Sequence, residues 1–240
     1  MTDNPASIYE AGRPLVHIGG IVPSLPDYLE DVYSWAYLSP RNLALLDRPW
    51  VVSAILWGNY RRLVRATLVE VQPGERVLQP ACVYGDFSPR LAAHVGPAGS
   101  LHVADIAPLQ VANCRRKLRP FPNARACVRD AADLDGDYDA VSCFFLLHEL
   151  PDGYKRKVVD ALLGCVVPGG KVIFVDYHRP HGAHPLKPAM SLVFDKLEPF
   201  AKALWTREIR DFAGKPQQFS WSKQTYFAGL YQVSIARRLI

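Results

Sequence analysis

The sequence has few cysteines and no paired cysteine motif. Its five cysteines are an odd number, and no two of them have CxxC spacing. Both a disulfide framework and a zinc ribbon are therefore disfavoured. A reducing cytoplasm is the compartment that this cysteine usage favours.

Long hydrophobic runs are also missing. The longest apolar run near the N-terminus covers residues 50–57, whereas a membrane-spanning helix needs roughly 20 residues. Residues 1–10 show no basic segment followed by an apolar core, so we expect no secretory signal. The expected location is the cytoplasm, at most peripheral to the inner face of the cytoplasmic membrane.

The sequence also lacks a strong excess of positive or negative charge. The 28 Lys and Arg residues are dispersed among 23 acids, giving a net charge of +5. This excludes the basic stripe typical of nucleic-acid binding, and we expect no nucleic-acid partner. A mildly basic balance beside an apolar face would instead suit an anionic membrane surface. The oligomeric state is not readable from these features.

The chain is organised around residues 76–105, which predict a strand, a tight turn, a helix and a second strand that ends in Asp105. This is the nucleotide-binding half of a doubly wound α/β fold, in which the acid accepts hydrogen bonds from ribose hydroxyls. The glycine pattern is incomplete, since only one of the four aligned turn positions, which hold Gln79, Ala81, Val83 and Gly85, is glycine. An ordinary buried turn is the alternative.

Three regions are predicted. Residues 1–26 are rich in proline and glycine and read as an irregular arm. Residues 27–71 carry apolar residues at helical spacing over 27–38 and again over about 49–71. Their aromatic side chains suit either a core or a lid over a flat apolar substrate. Residues 72–240 form the α/β domain.

The α/β domain continues with alternating helices and strands. Residues 138–145 are nearly all apolar, as expected for a central parallel strand. The sequence predicts a mostly parallel, Rossmann-like seven-stranded sheet that ends in an antiparallel hairpin, unlike a nicotinamide-binding domain. The other predicted elements are helices 108–118, 153–163 and 194–212 and strands 124–129, 172–176, 217–227 and 230–238.

Polar residues follow several strands of this sheet. Asp130 and Ala131, after the third strand, lie where a carboxylate would accept from an adenine amine, although a solvated acidic loop is the alternative. His148 and Glu149 follow the fourth strand, and Asp176 begins a histidine-containing loop after the fifth. Imidazole and carboxylate together suit manganese or iron, with a polar loop as the alternative. The histidines of that loop are His178, His181 and His184.

From about residue 58 to residue 238 the order of these motifs resembles the class I S-adenosylmethionine (SAM)-dependent methyltransferases. The chain is similar in particular to the rhodoquinone biosynthesis family, methyltransferase homologues of bacteria that respire anaerobically. The segments that carry this similarity are 32–38, 57–63, 78–86, 175–180 and 226–238.

The resemblance implies a transferase that replaces a ring methoxy group of ubiquinone with an amino group, with SAM as nitrogen donor and manganese as metal. It implies metal ligation by His148, Asp176 and His178, and catalytic roles for Asp176, Tyr177 and His148. The residues that it implies in SAM binding are Tyr37, Tyr60, Gln79, Ala81, Val83, Gly85, Asp105, Ile106, Asp130, Ala131 and Cys143.

Gln79 stands where an acid would anchor the ammonium group of SAM. The amide keeps hydrogen-bonding capacity without charge, which would leave the amine easier to deprotonate. This hypothesis favours amino transfer. The alternatives are a conventional methyltransferase acting on a quinone or phenol, and a non-catalytic SAM-fold module.

A lipophilic quinone would have to be reached from the membrane surface. Candidate docking segments are residues 27–38, 50–57 and 194–205, each of which combines apolar side chains with polar neighbours. Burial of these apolar stripes in the core is the alternative.

Overall fold

The computed structural model describes Leu43 and residues 45–240. The predicted arm (residues 1–26), the predicted helix over residues 27–38 and Tyr37 lie outside the described residues.

A seven-stranded sheet forms the centre of the fold, in the order β3-β2-β1-β4-β5-β7-β6. The first five strands are parallel, and β7 runs antiparallel to both β5 and β6. The predicted parallel sheet with a closing hairpin is confirmed. The strands are β1 Arg76–Gln79, β2 Ser100–Asp105, β3 Ala124–Val128, β4 Tyr138–Phe144, β5 Val166–Tyr177, β6 Phe219–Tyr226 and β7 Tyr231–Arg238.

The strand order reverses between β1 and β4, which are neighbours in the sheet. The connections that leave these two strands cross to opposite sides, so a crevice forms beyond their carboxyl ends. Every residue of β4 from Ala140 to Phe144 is buried, as its apolar run predicts. The sheet therefore places this crevice at residues that follow β1, β2, β4 and β5.

Helices cover both faces of the sheet. One apolar layer includes Leu63, Phe87 and Val111, and the other includes Val158 and Phe212, all at most 1% exposed. Burying each such side chain stabilises the fold by ~2 kcal/mol. The helices are α1 Pro49–Ile55, α2 Tyr60–Leu68, α3 Phe87–Val95, α4 Pro108–Leu118, α5 Asp152–Gly164, α6 Lys187–Lys196 and α7 Ala203–Thr206, and short 3-10 turns occupy Ala131–Asp133, Leu147–Glu149, Ile209–Phe212 and Pro216–Gln218.

The single helix predicted over residues 49–71 is wrong, because the structure divides it into α1 and α2. Trp57 and Gly58 have φ values of +51° and +79°, and a right-handed helix cannot continue through that region. The side-chain amide of Asn59 donates to the Trp57 carbonyl oxygen at 3.0 Å and supports the break. Apolar periodicity continues across the break, so the sequence pattern does not reveal it.

The single helix predicted over residues 194–212 is also wrong. Helix α6 begins earlier and ends at Lys196. Pro199 then interrupts the helical path, since proline lacks the N–H and its ring crowds the preceding turn. Leu204 and Phe212, farther along, are buried in the core instead of forming an exposed stripe.

Candidate active site

A cavity of about 330 Å³ opens at the carboxyl ends of the parallel strands. The residues that follow the strand ends form its floor. Its outer wall comes from Val52 and Ile55 of α1 and from Val193 and Leu197 at the end of α6. Most of the side chains that line the cavity are apolar. The cavity therefore suits a flat, largely apolar ligand.

The structure brings many of the predicted site residues to this cavity. Four predicted residues, Gln79, Gly85, Tyr60 and Asp176, are not among the lining residues of the cavity. Gln79 contacts Ala81 and Asp176 contacts His148, and both of these partners line the cavity. Cys143 is 1% exposed inside β4. The predicted residues that line the cavity are Ala81, Val83, Asp105, Ile106, Asp130, Ala131, His148 and Tyr177.

Gln79 is completely buried at the end of β1. Its amide nitrogen donates to the Ala81 carbonyl oxygen at 2.6 Å. Its amide oxygen has no hydrogen-bond partner among the described residues. A buried acceptor without a partner is rare and marks a position where a ligand donor would be stabilising.

The only glycine of the pattern, Gly85, takes a left-handed φ of +82°. A Cβ at this position would lie 3.1 Å from the Tyr60 hydroxyl oxygen. The same hydroxyl donates to Asp86 Oδ1 at 2.8 Å and accepts from the Asp86 backbone N–H at 3.1 Å. Tyr60 therefore supports the turn from behind, and burial raises the pKa of its hydroxyl far above the usual range.

Asp105 ends β2 with its carboxylate facing the cavity. Oδ2 accepts from the Cys82 backbone N–H at 2.7 Å, and Oδ1 accepts from the Ala107 N–H at 2.8 Å. Burial raises the pKa of this carboxyl to about 6, although both N–H groups oppose the rise. A carboxylate has roughly four lone-pair sites, so two ribose hydroxyls still find acceptors here.

Asp130 follows β3 and also lines the cavity. Its Oδ1 accepts from the Ala132 N–H at 2.8 Å, which caps the short turn over Ala131–Asp133. Its Oδ2 accepts from the Tyr154 hydroxyl. The carboxylate is thereby held at the end of the cavity near Asp105, where the adenine of a nucleotide would lie.

His148 and Asp176 form a buried pair at the other end of the cavity. Nδ1 of His148 lies 2.9 Å from Asp176 Oδ1. Asp176 is 1% exposed and also accepts from the N–H groups of Leu147 at 2.9 Å and Tyr177 at 2.8 Å. Burial, the largest single influence, would lower the pKa of His148, but Asp176, Glu198 and Glu149 together raise this pKa to about 9.

Aromatic rings surround this pair. The ring centroid of His148 lies 5.0 Å from that of Tyr177 and 5.9 Å from that of Phe145. Burial raises the pKa of the Tyr177 hydroxyl well above its usual value, so the phenol stays protonated. Tyr177 thus acts as an apolar wall with a polar tip.

Two of the three predicted metal ligands, His148 and Asp176, lie together, but His178 does not join them. Both ring nitrogens of His178 have other contacts: Nδ1 lies 2.9 Å from the Gly229 carbonyl oxygen, and Nε2 lies 3.1 Å from Lys223 Nζ. His184 contacts the Phe227 carbonyl oxygen at 3.0 Å. Within the described part of the chain, no three potential ligands are grouped to hold a metal ion. These residues therefore do not fit a manganese site.

The sequence analysis missed two residues beside the turn. Asp47 precedes α1, and Lys117 lies near the end of α4; their side chains meet with Oδ1 and Nζ 2.7 Å apart. They are separated by 70 positions, and neither belongs to a recognisable motif. Only the near-complete burial of both, 8% and 11% exposed, distinguishes them from solvated surface charges.

Comparison with known proteins places this geometry in context. Residues 77–170 match the family model of a methyltransferase domain. The matched segment runs from β1 into β5, and it includes Asp105, Asp130 and His148.

Curated relatives match part of the chain. The ubiquinone/menaquinone biosynthesis C-methyltransferase UbiE of Ectopseudomonas mendocina (strain ymp) is 27% identical over 154 residues, which are 60% of this chain and 57% of that protein. The demethylmenaquinone methyltransferase of Geobacillus sp. (strain WCH70) is 30% identical over 117 residues, 47% of this chain and 49% of that protein. The chain thus spans about half the length of the curated relatives that it matches.

Solved structures share the fold. N-methyltransferase NodS of Bradyrhizobium japonicum WM9, in complex with S-adenosyl-L-homocysteine (SAH), superposes with a TM-score of 0.58 at 14% identity, covering 89% of this chain and 99% of that one. The fold is the Rossmann-like fold of class I methyltransferases.

Proposed function

We propose that this chain is a SAM-dependent transferase that methylates the ring of a quinone or phenol. One observation carries the proposal: a single cavity joins two nucleotide-facing carboxylates, Asp105 and Asp130, to an aromatic chamber around His148. The match of residues 77–170 to a methyltransferase domain supports the cofactor. The names of the curated relatives support a quinone-type substrate.

The cofactor would bind across the carboxyl ends of β1 to β4. Asp105 would accept from the ribose hydroxyls and Asp130 from the adenine amine. The methionine part would then lie along Ala81 and Val83, with the partnerless oxygen of Gln79 close behind the turn. This orientation directs the sulfonium toward the aromatic chamber.

His148 would be the proton acceptor of the reaction. Methyl transfer breaks the sulfur–carbon bond of SAM and releases SAH. A new bond to ring oxygen replaces the hydroxyl proton, whereas a new bond to ring carbon replaces the C–H proton, which leaves as the ring regains aromaticity. Nδ1 of His148 faces Asp176 Oδ1 at 2.9 Å, so Nε2, which lies 3.8 Å from Glu149 Oε1, would take that proton. A carboxylate that orients an imidazole in this way also stabilises the imidazolium that forms.

Amino-for-methoxy exchange, with nitrogen drawn from SAM, is the second candidate. Gln79 favours this reaction. It is a neutral amide in a fully buried position, whereas an acid there would keep the amino group of SAM in its charged ammonium form. Because the described residues gather no metal-ligand set, we propose no manganese-dependent step for either reaction.

Product mass separates the two reactions. Purified chain is incubated with SAM and either a demethylated quinol or a short-tail ubiquinone, and the quinone product is analysed by mass spectrometry. Methylation adds one methylene unit to the quinol, whereas amino exchange lowers the mass of ubiquinone. Failure to bind SAH in calorimetry would support the non-catalytic alternative and refute both reactions.

We propose further that the cavity mouth docks on an anionic bilayer. Ile55 and Leu197, which form an apolar rim of the cavity, are still 50% and 48% exposed, and Trp50 of α1 is 64% exposed. Arg61 and Arg65 of α2, the next helix along the chain, are also exposed. Such a combination suits shallow insertion with cations at the headgroups.

The docking proposal has a direct test. In the described part of the chain no helix has the length and apolar character to span a bilayer. Wild type should float with anionic liposomes, and an Ile55→Ser/Leu197→Ser double variant should float less. Leu239→Ser, which changes a 54% exposed leucine on the C-terminal strand end, is the control. Equal flotation of all three proteins would refute docking at this rim.

A further inference from the structure

Side chains hold the cofactor-facing turn in shape where glycines are missing. Three backbone N–H groups of the turn are engaged by side-chain acceptors: Cys82 by Asp105, Gly85 by Asp47 and Asp86 by Tyr60. Residues other than glycine adopt unusual backbone conformations only at a cost in free energy. Hydrogen bonds from neighbouring side chains can offset that cost and hold the turn in its shape.

Lys117 engages the carbonyl oxygens of the same turn. Its ammonium lies 3.1 Å from the Val83 oxygen, 2.9 Å from the Gly85 oxygen and 2.7 Å from Asp47 Oδ1. An ammonium group has three N–H donors, and these contacts use all three. Lys117 is thus a structural cation directed at the turn and not a solvated charge.

Asp47 closes the network from the opposite side. Its Oδ1 accepts from the Gly85 N–H at 3.0 Å as well as from Lys117. Its Oδ2 accepts from the Asn113 amide at 2.9 Å. Because Asp47 directly precedes α1, which supplies Val52 and Ile55 to the cavity wall, the same contacts join the substrate-side wall to the cofactor turn.

We propose that Asp47 and Lys117 are positioning residues of the cofactor site, which together set the backbone of residues 83–85 for SAM and couple it to α1. The proposal rests on the proposed function, since it assumes that SAM binds at this turn. Neither side chain touches the cavity. Both act through the backbone groups that they hold.

The test measures SAH affinity by calorimetry in Lys117→Met and Asp47→Asn. Each variant leaves buried groups of the turn without a partner, so the dissociation constant should rise ~10- to 100-fold, as expected for displacements of about 1 Å in a binding site. Lys157→Met is the control. It removes an exposed lysine of α5, a helix that contributes no residue to this network, and its affinity should equal that of wild type.

A purely structural role predicts a different result. In that case the variants would melt at lower temperature, yet the folded fraction would bind SAH with wild-type affinity, and this outcome would overturn the proposal. Asn113→Ala removes no charge but deletes the bond to Asp47 Oδ2, together with one from Arg116, so it tests the network if the charge variants do not fold. Absence of SAH binding in wild type would instead refute the proposed function itself, and the positioning roles with it.

Discussion

Replacing Asp176 with asparagine should change the pH at which the protein works, because it removes the charge that keeps His148 protonated. Burial lowers the pKa of His148, but the acidic groups around it, Asp176 foremost, raise this pKa from 6.5 to about 9. A shift of this size corresponds to ~3 kcal/mol of net stabilisation of the imidazolium. Of the other groups near His148, Glu149 and Glu198 contribute in the same direction but less.

The assay is the pH profile of kcat/KM for methyl transfer. If neutral His148 accepts the proton, the wild-type rate should rise with pH and level off near pH 9. In Asp176→Asn the inflection should move at least ~2 pH units toward acid, because burial then acts with little opposition. Asp139→Asn is the control, since Asp139 lies at the other end of β4, where it accepts from the Arg76 N–H.

The same pair predicts how stability depends on pH. The pKa of His148 is higher in the folded than in the unfolded protein, so its contribution is complete below pH 6.5 and is lost as the pH rises through 9. Denaturant unfolding at pH 6 and pH 10 should show this loss in wild type and not in His148→Gln. An unchanged inflection near pH 9 in Asp176→Asn would refute the assignment of His148 as the proton acceptor.

Three further predictions concern the cofactor end of the cavity. Asp105→Asn should abolish most of the SAH affinity, and the wild-type affinity should fall as the pH drops through about 6, where the Asp105 carboxyl becomes protonated. Calorimetric titrations between pH 8 and pH 5 measure both effects, and a wild-type affinity that does not change with pH would contradict the role of Asp105. Gly85→Ala should lower the free energy of unfolding by ~1–2 kcal/mol because of the left-handed backbone. The loss should exceed that of Gly58→Ala, whose φ is +79° but whose added Cβ meets nothing within 4 Å. Equal denaturant midpoints for the two variants would show that the Tyr60 hydroxyl moves away from the new Cβ without cost. Gln79→Asp should slow amino-for-methoxy exchange and leave methyl transfer in place, as read by product mass, and unchanged or faster amino exchange would show that the neutral amide is not what permits it.

The α/β architecture was readable from the chain because it rests on local patterns. The apolar run of β4, the acids that end β2 and begin the loop after β3, and the alternating C-terminal strands each indicate one element and its neighbour. Parallel strands then bring their carboxyl ends to one edge whatever the details of packing. For that reason the structure places Asp105, Asp130, His148 and Tyr177 at one cavity, at the sheet edge that the sequence predicts.

Long-range geometry decided the rest. A left-handed pair at Trp57 and Gly58 ends one helix, and no periodicity shows it. His178 follows β5 as predicted, but its ring bonds to the hairpin instead of to Asp176, because the direction of a side chain depends on which neighbour offers a partner. Asp47 and Lys117 meet across 70 positions of sequence.

The sequence by itself thus determined the succession of strands along the chain, the sheet edge at which a ligand is expected and the residue types that follow the strands there. Only the tertiary structure decided which side chains hold the turn, which carboxylate orients the histidine and that no metal-ligand set forms in the described residues. Periodicity and turn chemistry act over a few residues, whereas hydrogen-bond pairing and burial are settled by contacts between distant parts of the chain.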